Sequence, residues 1–236
     1  MKLENKTILI TGANRGIGKA IVEALLAQPV AKIYAAARKV SDLPDFNDAR
    51  VVPIQLDITN RAQVSAAAKN TDVDLLINNA GALAYSSVVD GASDLLMQDM
   101  QVNYFGTLSM VNAFAPTLAA RKGGVANVIS VVGLASMAGI GGYSASKAAL
   151  FSATQAMRTE LKAKNVSVFG IFPGPIDTDM AKGIEMEKAS PASTAEKIVA
   201  GIIAGNEDIF PDPMSAQVGK LWAQDPKQLE RQFAGF

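Results

Sequence analysis

The chain contains neither cysteine nor histidine among its 236 residues. It therefore has no disulfide, no thiolate nucleophile, no Ser-His-Asp triad and no zinc site with His or Cys ligands. A magnesium site made of carboxylates alone stays open, but no cluster of Asp and Glu in the sequence points to one. We expect no metal, so the chemistry has to come from other side chains or from an organic cofactor.

Net charge is also lacking, because 22 Lys and Arg balance 22 Asp and Glu and the pI is about 6.3. A balanced chain carries no electrostatic footprint for nucleic acid or an anionic membrane. Two long uncharged stretches, Met100–Ala120 and Gly123–Ser146, are interrupted by polar residues, Gly or Pro. Such interruptions are costly in lipid, so we interpret both stretches as buried elements and expect neither a nucleic-acid nor a membrane partner.

The N-terminus runs straight into a strand pattern and does not resemble a signal peptide, so the predicted location is the cytoplasm. Hydrophobic residues make up 49% of the chain, enough for one sizeable core. We predict a single domain spanning residues 1–236.

Runs of β-branched and apolar residues, typical of strands covered on both faces, alternate with helix-forming segments. The predicted strands are Thr7–Thr11, Lys32–Ala37, Arg50–Leu56, Asp74–Asn78, Gly124–Ser130, Val166–Ile171 and Ile209–Phe210. The predicted helices are Gly16–Gln28, Asn60–Lys69, one or two within Asp94–Arg121, Tyr143–Lys164, Ser193–Ala204 and Ala216–Phe233. The alternation predicts an α/β fold, a Rossmann-type doubly wound parallel sheet of about seven strands with helices on both faces.

A glycine-rich turn from Gly12 to Gly18 follows the first strand at once and opens the first helix. Glycine permits a tight turn and close backbone approach, and a helix N-terminus presents unpaired N–H groups to an anion. The spacing is Gly-x-x-x-Gly-x-Gly, which differs from the standard Gly-x-Gly-x-x-Gly fingerprint. The context predicts a dinucleotide cradle, and the alternative is a turn that merely links strand to helix.

The second predicted strand ends at Arg38 with no acidic residue, and Arg15 lies inside the glycine turn. An acid at the end of this strand favours a free ribose 2′-hydroxyl, whereas a basic residue accommodates a 2′-phosphate. Two guanidinium groups suit a phosphate dianion, so the pattern favours NADP(H) over NAD(H). The alternative is a pair of solvated surface charges.

Tyr143 and Lys147 are four residues apart at the start of an Ala-rich helical run, so they share one helix face. A free tyrosine has a pKa of about 10, and a nearby positive charge lowers it. The pair is therefore suited to passing a proton to or from an alcohol oxygen. The alternative is an ordinary amphipathic helix whose lysine extends to the surface.

Three further segments carry predictions. The uncharged Met100–Ala120 helix and the small residues after Tyr143 favour burial against a second subunit, so we expect a homodimer or homotetramer. Met180–Pro191 has no core pattern and is interpreted as a lid. Ser193 or Thr194 is expected near the N-cap of its helix.

Several motifs now stand in one order along the chain, and together they are specific. They are Thr11-Gly12 with Gly16 and Gly18, Asn78-Asn79-Ala80-Gly81, Asn103, Ser130, Tyr143 with Lys147, and Pro173-Gly174. In them the chain resembles the classical short-chain dehydrogenase/reductase family over residues 6–180 and in total length.

The resemblance implies roles for four residues. Tyr143 would be the acid in reduction and the base in oxidation, and Lys147 would lower the tyrosine pKa and hold the nicotinamide ribose. Ser130, thirteen residues before the tyrosine, would hydrogen-bond the substrate oxygen. Asn103 would hold a water that relays protons to Lys147.

The resemblance also implies cofactor contacts: the glycine turn at the pyrophosphate, and later segments at adenine, the riboses and the carboxamide. The implied set is Gly12, Asn14, Arg15, Gly16, Ile17, Gly18, Arg38, Asp57, Ile58, Asn79, Ala80, Gly81, Tyr143, Lys147, Pro173, Gly174, Ile176 and Thr178. In this family a basic residue at the position of Arg38 goes with NADP(H), in agreement with the ribose argument.

The predicted function is NADP(H)-dependent hydride transfer between nicotinamide and the carbonyl or alcohol of a neutral, moderately hydrophobic small molecule. The expected pocket lining is Leu83, Ala84, Val131–Ala138, Tyr143 and Pro175–Met186. A 3-oxoacyl-(acyl-carrier-protein) reductase and a non-catalytic NADP(H)-binding redox sensor remain alternatives. The chain departs from the family's frequent Ser-Ser at Val131, and its tail Ile209–Pro213 is unlike that of the usual acyl-chain reductases.

Overall fold

The computed structural model describes residues 1–183 and 185–235, which form one seven-stranded sheet flanked by helices. The strands are β1 Thr7–Thr11, β2 Lys32–Ala37, β3 Val51–Gln55, β4 Leu75–Asn78, β5 Gly124–Val128, β6 Ser167–Ile171 and β7 Asp208–Ile209. All neighbours pair in parallel in the order β3-β2-β1-β4-β5-β6-β7. The predicted fold class is confirmed, and the strand order reverses between β1 and β4.

The helices alternate with the strands as predicted. They are α1 Gly16–Leu26, α2 Arg61–Ala67, α3 Ser93–Asp99, α4 Thr107–Arg121, α5 Gly141–Lys162, α6 Pro191–Ala204, α7 Pro213–Gln224 and α8 Pro226–Ala234. A π-helical turn, Met100–Gly106, joins α3 to α4. None of the helices within the described residues is long and apolar enough to cross a membrane.

Both faces of the sheet are buried, because helices cover each of them. Successive residues of a strand point to opposite faces, so each strand contributes to two cores. Ile8 and Ile10 of β1 pack in the core beneath α1 and α6, while Leu9 packs in the core beneath α4 and α5. A third cluster joins Phe172, just past β6, to the C-terminal helices. The rigid sheet therefore fixes the strand ends, where the functional side chains lie.

Two predictions at helix ends are wrong. The N-cap of α6 is Ser190 rather than Ser193 or Thr194, because Pro191 takes the first helical position and the Ser190 hydroxyl accepts from Ser193 N at 3.1 Å. The helix predicted over 216–233 is two helices, α7 and α8. Pro226 starts the second one, and the Asp225 carboxylate caps it by accepting from Gln228 N at 2.9 Å.

Candidate active site

The carboxyl ends of β1 and β4 form a crevice at the point where the strand order reverses. Thr11 Oγ1 accepts from the backbone N–H groups of Asn79 and Ala80, both at 3.0 Å. The Asn79 amide donates in return to the carbonyls of Thr11 at 3.0 Å and Gly12 at 3.1 Å. Open α/β sheets bind ligands at this kind of switch point, and Asn79 and Ala80 are fixed at its wall.

At its three glycines the turn is packed too closely for a side chain. Gly12 and Gly16 have φ of +67° and +55°, in the left-handed region that favours glycine. A Cβ on Gly18 would collide with the Gly12 carbonyl and with the Asn79 side chain. Residue 17 is Ile, which places its side chain in contact with the core beneath α1.

Helix α1 begins at Gly16 with its N-terminus at this crevice. Within the described residues no side chain caps it, and its first turn carries no acidic residue. Its first N–H groups and the positive end of its dipole are therefore available to an anion. The close-packed glycine turn and the uncapped helix N-terminus fit the pyrophosphate of a dinucleotide. Asn14 lies within this turn and is half-buried.

The two arginines of the predicted 2′-phosphate site differ in their surroundings. Arg38 is exposed at the end of β2, and no ion pair involves it among the described residues. Arg15 donates to Asp179 Oδ2 at 3.1 Å, which links the glycine turn to the loop after β6. Arg38 therefore keeps its guanidinium free for an anion, whereas Arg15 already has a carboxylate partner.

Asp57 and Ile58 follow β3 at the same edge. Asp57 Oδ1 accepts from the Thr59 N–H at 2.9 Å and its hydroxyl at 2.7 Å, so this carboxylate holds its own turn. Ile58 is buried, and a Cβ on Gly106 would lie 2.8 Å from its side chain. Asp57 therefore stabilises the turn after β3, and Ile58 packs in the core against the π-helical turn.

Tyr143 and Lys147 lie in the first two turns of α5, where the helical spacing predicted them. Lys147 Nζ is 5.5 Å from the centre of the Tyr143 ring. The ammonium is buried and donates to the carbonyl of Val128, at the end of β5, at 2.8 Å. A Cβ on Gly81 would be 3.7 Å from this ammonium, so the segment after β4 approaches it closely.

The protonation of this pair differs from the prediction. Burial raises the pKa of Tyr143; the nearby Ser130 hydroxyl lowers it in part, and the Asp99 carboxylate raises it further. Burial lowers the pKa of Lys147 to about 8, against a raising effect of Asp99. The predicted net lowering of the tyrosine pKa is therefore wrong for the residues described, because loss of water outweighs the stabilisation of the phenolate.

Ser130 lies just past the end of β5, which stops at Val128 rather than at Ser130. Its hydroxyl donates to the Pro173 carbonyl at 3.3 Å and accepts from Val132 N at 3.4 Å. The Pro173–Gly174 turn is thereby fixed against the end of β5, and the serine is close enough to Tyr143 to affect its pKa.

Asn103 is fully buried in the π-helical turn, a feature that often marks functional sites. Its amide nitrogen donates to the Ala82 carbonyl and to Ser146 Oγ, both at 2.9 Å. Its oxygen accepts from Ala82 N at 2.9 Å. The side chain thus joins the segment after β4 to α5, and its implied contact with a water stays a prediction.

The predicted lid is tied down at its base. Ile176 pairs with Ala189 in an isolated parallel bridge, and Asp177 N donates to the Ala189 carbonyl at 2.9 Å. The Thr178 methyl approaches Gly16, where a Cβ would lie 3.2 Å away. Ile184, within this lid, lies outside the described residues.

Two buried aspartates at the site were not predicted. Asp212 caps α7 and accepts from Gly174 N at 2.8 Å, so it holds the Pro173–Gly174 turn. Its signal was Asp212-Pro213 with Ser215 three residues after the aspartate, a capping pattern that we considered only as part of the tail Ile209–Pro213. Asp99 accepts from Ala84 N at 2.9 Å, and nothing in the sequence distinguishes it from an exposed helical acid.

Known proteins match this chain along most of its length. A family model described as short chain dehydrogenase matches residues 6–189. The structure resembles that of a short chain dehydrogenase from Burkholderia cenocepacia J2315 in complex with NADP, with a TM-score of 0.94, 35% identity and 99% of both chains covered.

Two sequence relatives have similar identity. Short-chain dehydrogenase PC-15 of Penicillium crustosum is 34% identical over 214 residues, which cover 87% of this chain and 79% of that protein. The 3-oxoacyl-(acyl-carrier-protein) reductase FabG of Vibrio cholerae is 33% identical over 218 residues, covering 89% and 88%.

Proposed function

The chain belongs to the short-chain dehydrogenase family, and from that premise we propose that it is an NADP(H)-dependent oxidoreductase that interconverts a carbonyl and an alcohol. The observation that carries the proposal is that Tyr143, Lys147 and Ser130 meet at the carboxyl edge of the sheet, beside a glycine cradle suited to pyrophosphate. These are the groups needed to bind a carbonyl oxygen and deliver a proton to it.

NADP(H) is the proposed cofactor, because the Burkholderia relative was solved in complex with NADP and Arg38 stands free where a 2′-phosphate would lie. The glycine turn would hold the pyrophosphate, and Lys147 the nicotinamide ribose. When bound, the cofactor supplies the hydride, and the protein supplies orientation and the proton donor.

Tyr143 is the proposed proton donor. Its pKa is raised above the ordinary value by burial, so the phenol keeps its proton at neutral pH. Lys147 has a pKa near 8 and stays an ammonium at neutral pH, able to donate to ribose hydroxyls. At neutral pH these protonation states leave Tyr143 able to donate a proton to a carbonyl oxygen.

The substrate is a neutral, moderately hydrophobic ketone or aldehyde. Val131 and Val132 are buried in the third core cluster with the half-buried Leu134 and Met137 packed against it, so the segment that follows Ser130 is apolar. Tyr85 and Met180 are exposed, and the Tyr85 hydroxyl donates to the Met180 carbonyl at 3.2 Å, which joins the segment after β4 to the lid. An apolar wall with few polar groups is typical of sites for small organic ligands.

A second candidate is reduction of a 3-oxoacyl chain on a carrier protein, which is supported by the name of the Vibrio cholerae relative. An acidic carrier requires a basic rim. The lid carries both signs, with exposed Lys182 and half-buried Lys188 beside exposed Glu185 and Glu187, so the rim favours a free small molecule.

The proposal is tested by following consumption of NADPH over a panel of ketones and aldehydes, with Tyr143→Phe alongside. The wild type turns over at least one of these substrates, and Tyr143→Phe loses roughly 100-fold or more in kcat/KM because the general acid is gone. Tyr104→Phe is the matched control, because Tyr104 packs edge-on against Phe105 with ring centres 5.0 Å apart. This variant is expected to keep wild-type rates.

Other outcomes of this assay would contradict parts of the account. Turnover with NADH in place of NADPH would overturn the role of Arg38 and leave the chemistry intact. Tight NADPH binding without turnover on any substrate would favour the redox-sensor alternative. Full activity in Tyr143→Phe would remove the proposed proton donor.

We also propose a cytoplasmic homodimer or homotetramer. The support is an uncharged exposed surface on α4 and α5, which pack on the same face of the sheet.

A further inference from the structure

Asp99 is a fully buried carboxylate at the end of α3, one turn before Asn103. Its Oδ1 accepts from Ala84 N at 2.9 Å, in parallel with the bond from Ala82 N to Asn103 Oδ1. Two side chains from adjacent turns thus hold alternate residues of the segment after β4. An amide does this work at position 103, so the hydrogen bond alone does not explain a carboxylate at position 99.

The second oxygen of Asp99 has no hydrogen-bond partner among the described residues. It faces the first turn of α5, because a Cβ on Gly142 would lie 3.6 Å from this Oδ2. The helix N-terminus there lacks a side-chain cap within the described residues, and its dipole favours a negative charge. Tyr143 and Lys147 lie in the same two turns of α5.

The other titratable groups on the surrounding elements are exposed or half-buried. Tyr85 and Asp90, in the segment after β4, and Asp94, on α3, are exposed. Tyr104, on the π-helical turn, is half-buried and packs against Phe105. Strands β4, β5 and β6 and the turn Val131–Gly133 carry no titratable side chain. Among the described residues of these elements, Asp99 is therefore the fully buried carboxylate that faces the helix of Lys147, and Tyr143 is the ring beside the lysine.

We propose that Asp99 is a positioning residue that acts through Lys147, as the buried counter-charge that keeps this lysine an ammonium and Tyr143 a protonated phenol. The inference deepens the proposed function and rests on it for its catalytic consequence. A negative charge in a poorly solvated site stabilises a nearby ammonium and destabilises a nearby phenolate, without direct contact. The charge of Asp99 acts in these directions on both pKa values. Burial raises the pKa of the Asp99 carboxyl itself, and the bond from Ala84 and the charge of Lys147 lower it in part.

The consequence is a pH range rather than a maximal rate. Reduction requires the ammonium on Lys147 and the proton on Tyr143, so activity falls as pH rises through the lower of their two pKa values, about 8 for Lys147. Removing the negative charge lowers both pKa values and moves this alkaline limb to lower pH. If Asp99 only held the segment after β4, its replacement would lower the rate equally at every pH.

The test compares wild type, Asp99→Asn and Asp94→Asn. Asparagine keeps the shape of Asp99 and its bond from Ala84, and Asp94→Asn removes the same charge from the exposed first turn of α3. In pH profiles of kcat/KM with NADPH, the alkaline limb lies near pH 8 in wild type and Asp94→Asn and shifts to lower pH in Asp99→Asn. An unshifted limb in Asp99→Asn would overturn the proposal.

A second readout does not depend on turnover. In protein labelled with ¹³C at the lysine ε carbon, the resonance of Lys147 is assigned by its loss in Lys147→Arg and titrated by NMR. Its midpoint is lower in Asp99→Asn than in wild type; equal midpoints would overturn the inference even if the protein reduces carbonyls. A wild type without turnover would refute the proposed function, and the midpoints would still decide the role of Asp99.

If Asp99→Asn fails to fold, the reciprocal measurement takes its place. The carboxyl resonance of Asp99 is titrated in wild type and in Lys147→Met. Loss of the ammonium raises the midpoint of Asp99 if the two charges interact, and an unchanged midpoint would show that they do not.

Discussion

The Lys147 side chain is 3% exposed, and its ammonium donates to one backbone carbonyl, that of Val128. Burial of a cation away from water disfavours the charged form, which is why its pKa falls to about 8. The buried ammonium beside Tyr143 therefore destabilises the folded state. That cost is measurable, because it disappears when the lysine loses its proton.

We expect the stability of wild type relative to Lys147→Met to rise with pH. Below pH 8 the lysine is charged in both states, so the native state bears the full cost of burial. Between about 8 and 10.5 the unfolded state keeps its proton while the native state loses it, and wild type gains on the order of 3 kcal/mol.

Urea unfolding of both proteins from pH 7 to 11 measures this difference, and taking the difference cancels the other titrating groups. The variant also lacks the hydrogen bond to Val128. That loss changes the difference in stability by a constant amount and leaves its slope against pH unchanged. A difference that stays flat across this range would show that the pKa of Lys147 is not lowered by folding.

The spacing of Tyr143 and Lys147 was readable from the sequence because helical periodicity puts i and i+4 on one face. The pKa values were not readable, since they depend on how much water the folded chain excludes. The burial of Asp99 has the same origin: it follows from how α3 packs, and a charged residue in a helix is exposed in most cases.

Among the elements, the π-helical turn and α4 have an exposed side that carries no charge. Phe105, Asn112 and Pro116 are all exposed and lie on one face by their spacing of seven and four residues. The exposed residues Ala145, Ala148 and Ser152 of α5 are small and neutral. Uncharged helix surfaces that pack on the same face of a sheet are suited to contact with a second copy of the chain.

Phe105→Lys is therefore expected to weaken self-association by roughly 100-fold or more, because an unpaired charge would be buried at the contact. Light scattering coupled to size exclusion over a range of concentrations measures the effect. Val40→Lys is the control, since Val40 is a similarly exposed apolar residue beside β2. A wild type that is monomeric at every concentration would refute the oligomer, and an unchanged oligomer in Phe105→Lys would move the contact elsewhere.

The strands were predicted to within a few residues because doubly covered strands are continuous apolar runs. Helix ends were less readable. Ser190 and Asp225 each cap a helix that begins with proline, a pattern visible in the sequence but interpreted as loop or as helix interior. Asp212 shows why this matters, because the same kind of cap also holds Gly174 beside the site.

At the scale of the whole molecule, parallel strands bring residues far apart in sequence to one edge. Gly12, Asn79, Ser130 and Tyr143 meet because each follows a strand or begins the helix after one. The resemblance at the sequence level covered residues 6–180, whereas the Burkholderia structure matches 99% of the chain. The C-terminal helices contain none of these motifs because they contribute core packing. Many different apolar sequences can fill a core equally well, so packing leaves no motif in the sequence.

The central claim is hydride transfer from the nicotinamide to a carbonyl carbon, and its most direct test is isotopic. The protein is supplied with NADPH deuterated at C4 on one face or the other, together with a carbonyl substrate from the panel, and the alcohol is analysed by NMR. The account predicts deuterium on the carbinol carbon from one of the two labelled cofactors and none from the other. Consumption of NADPH with no deuterium in the alcohol from either one would contradict it.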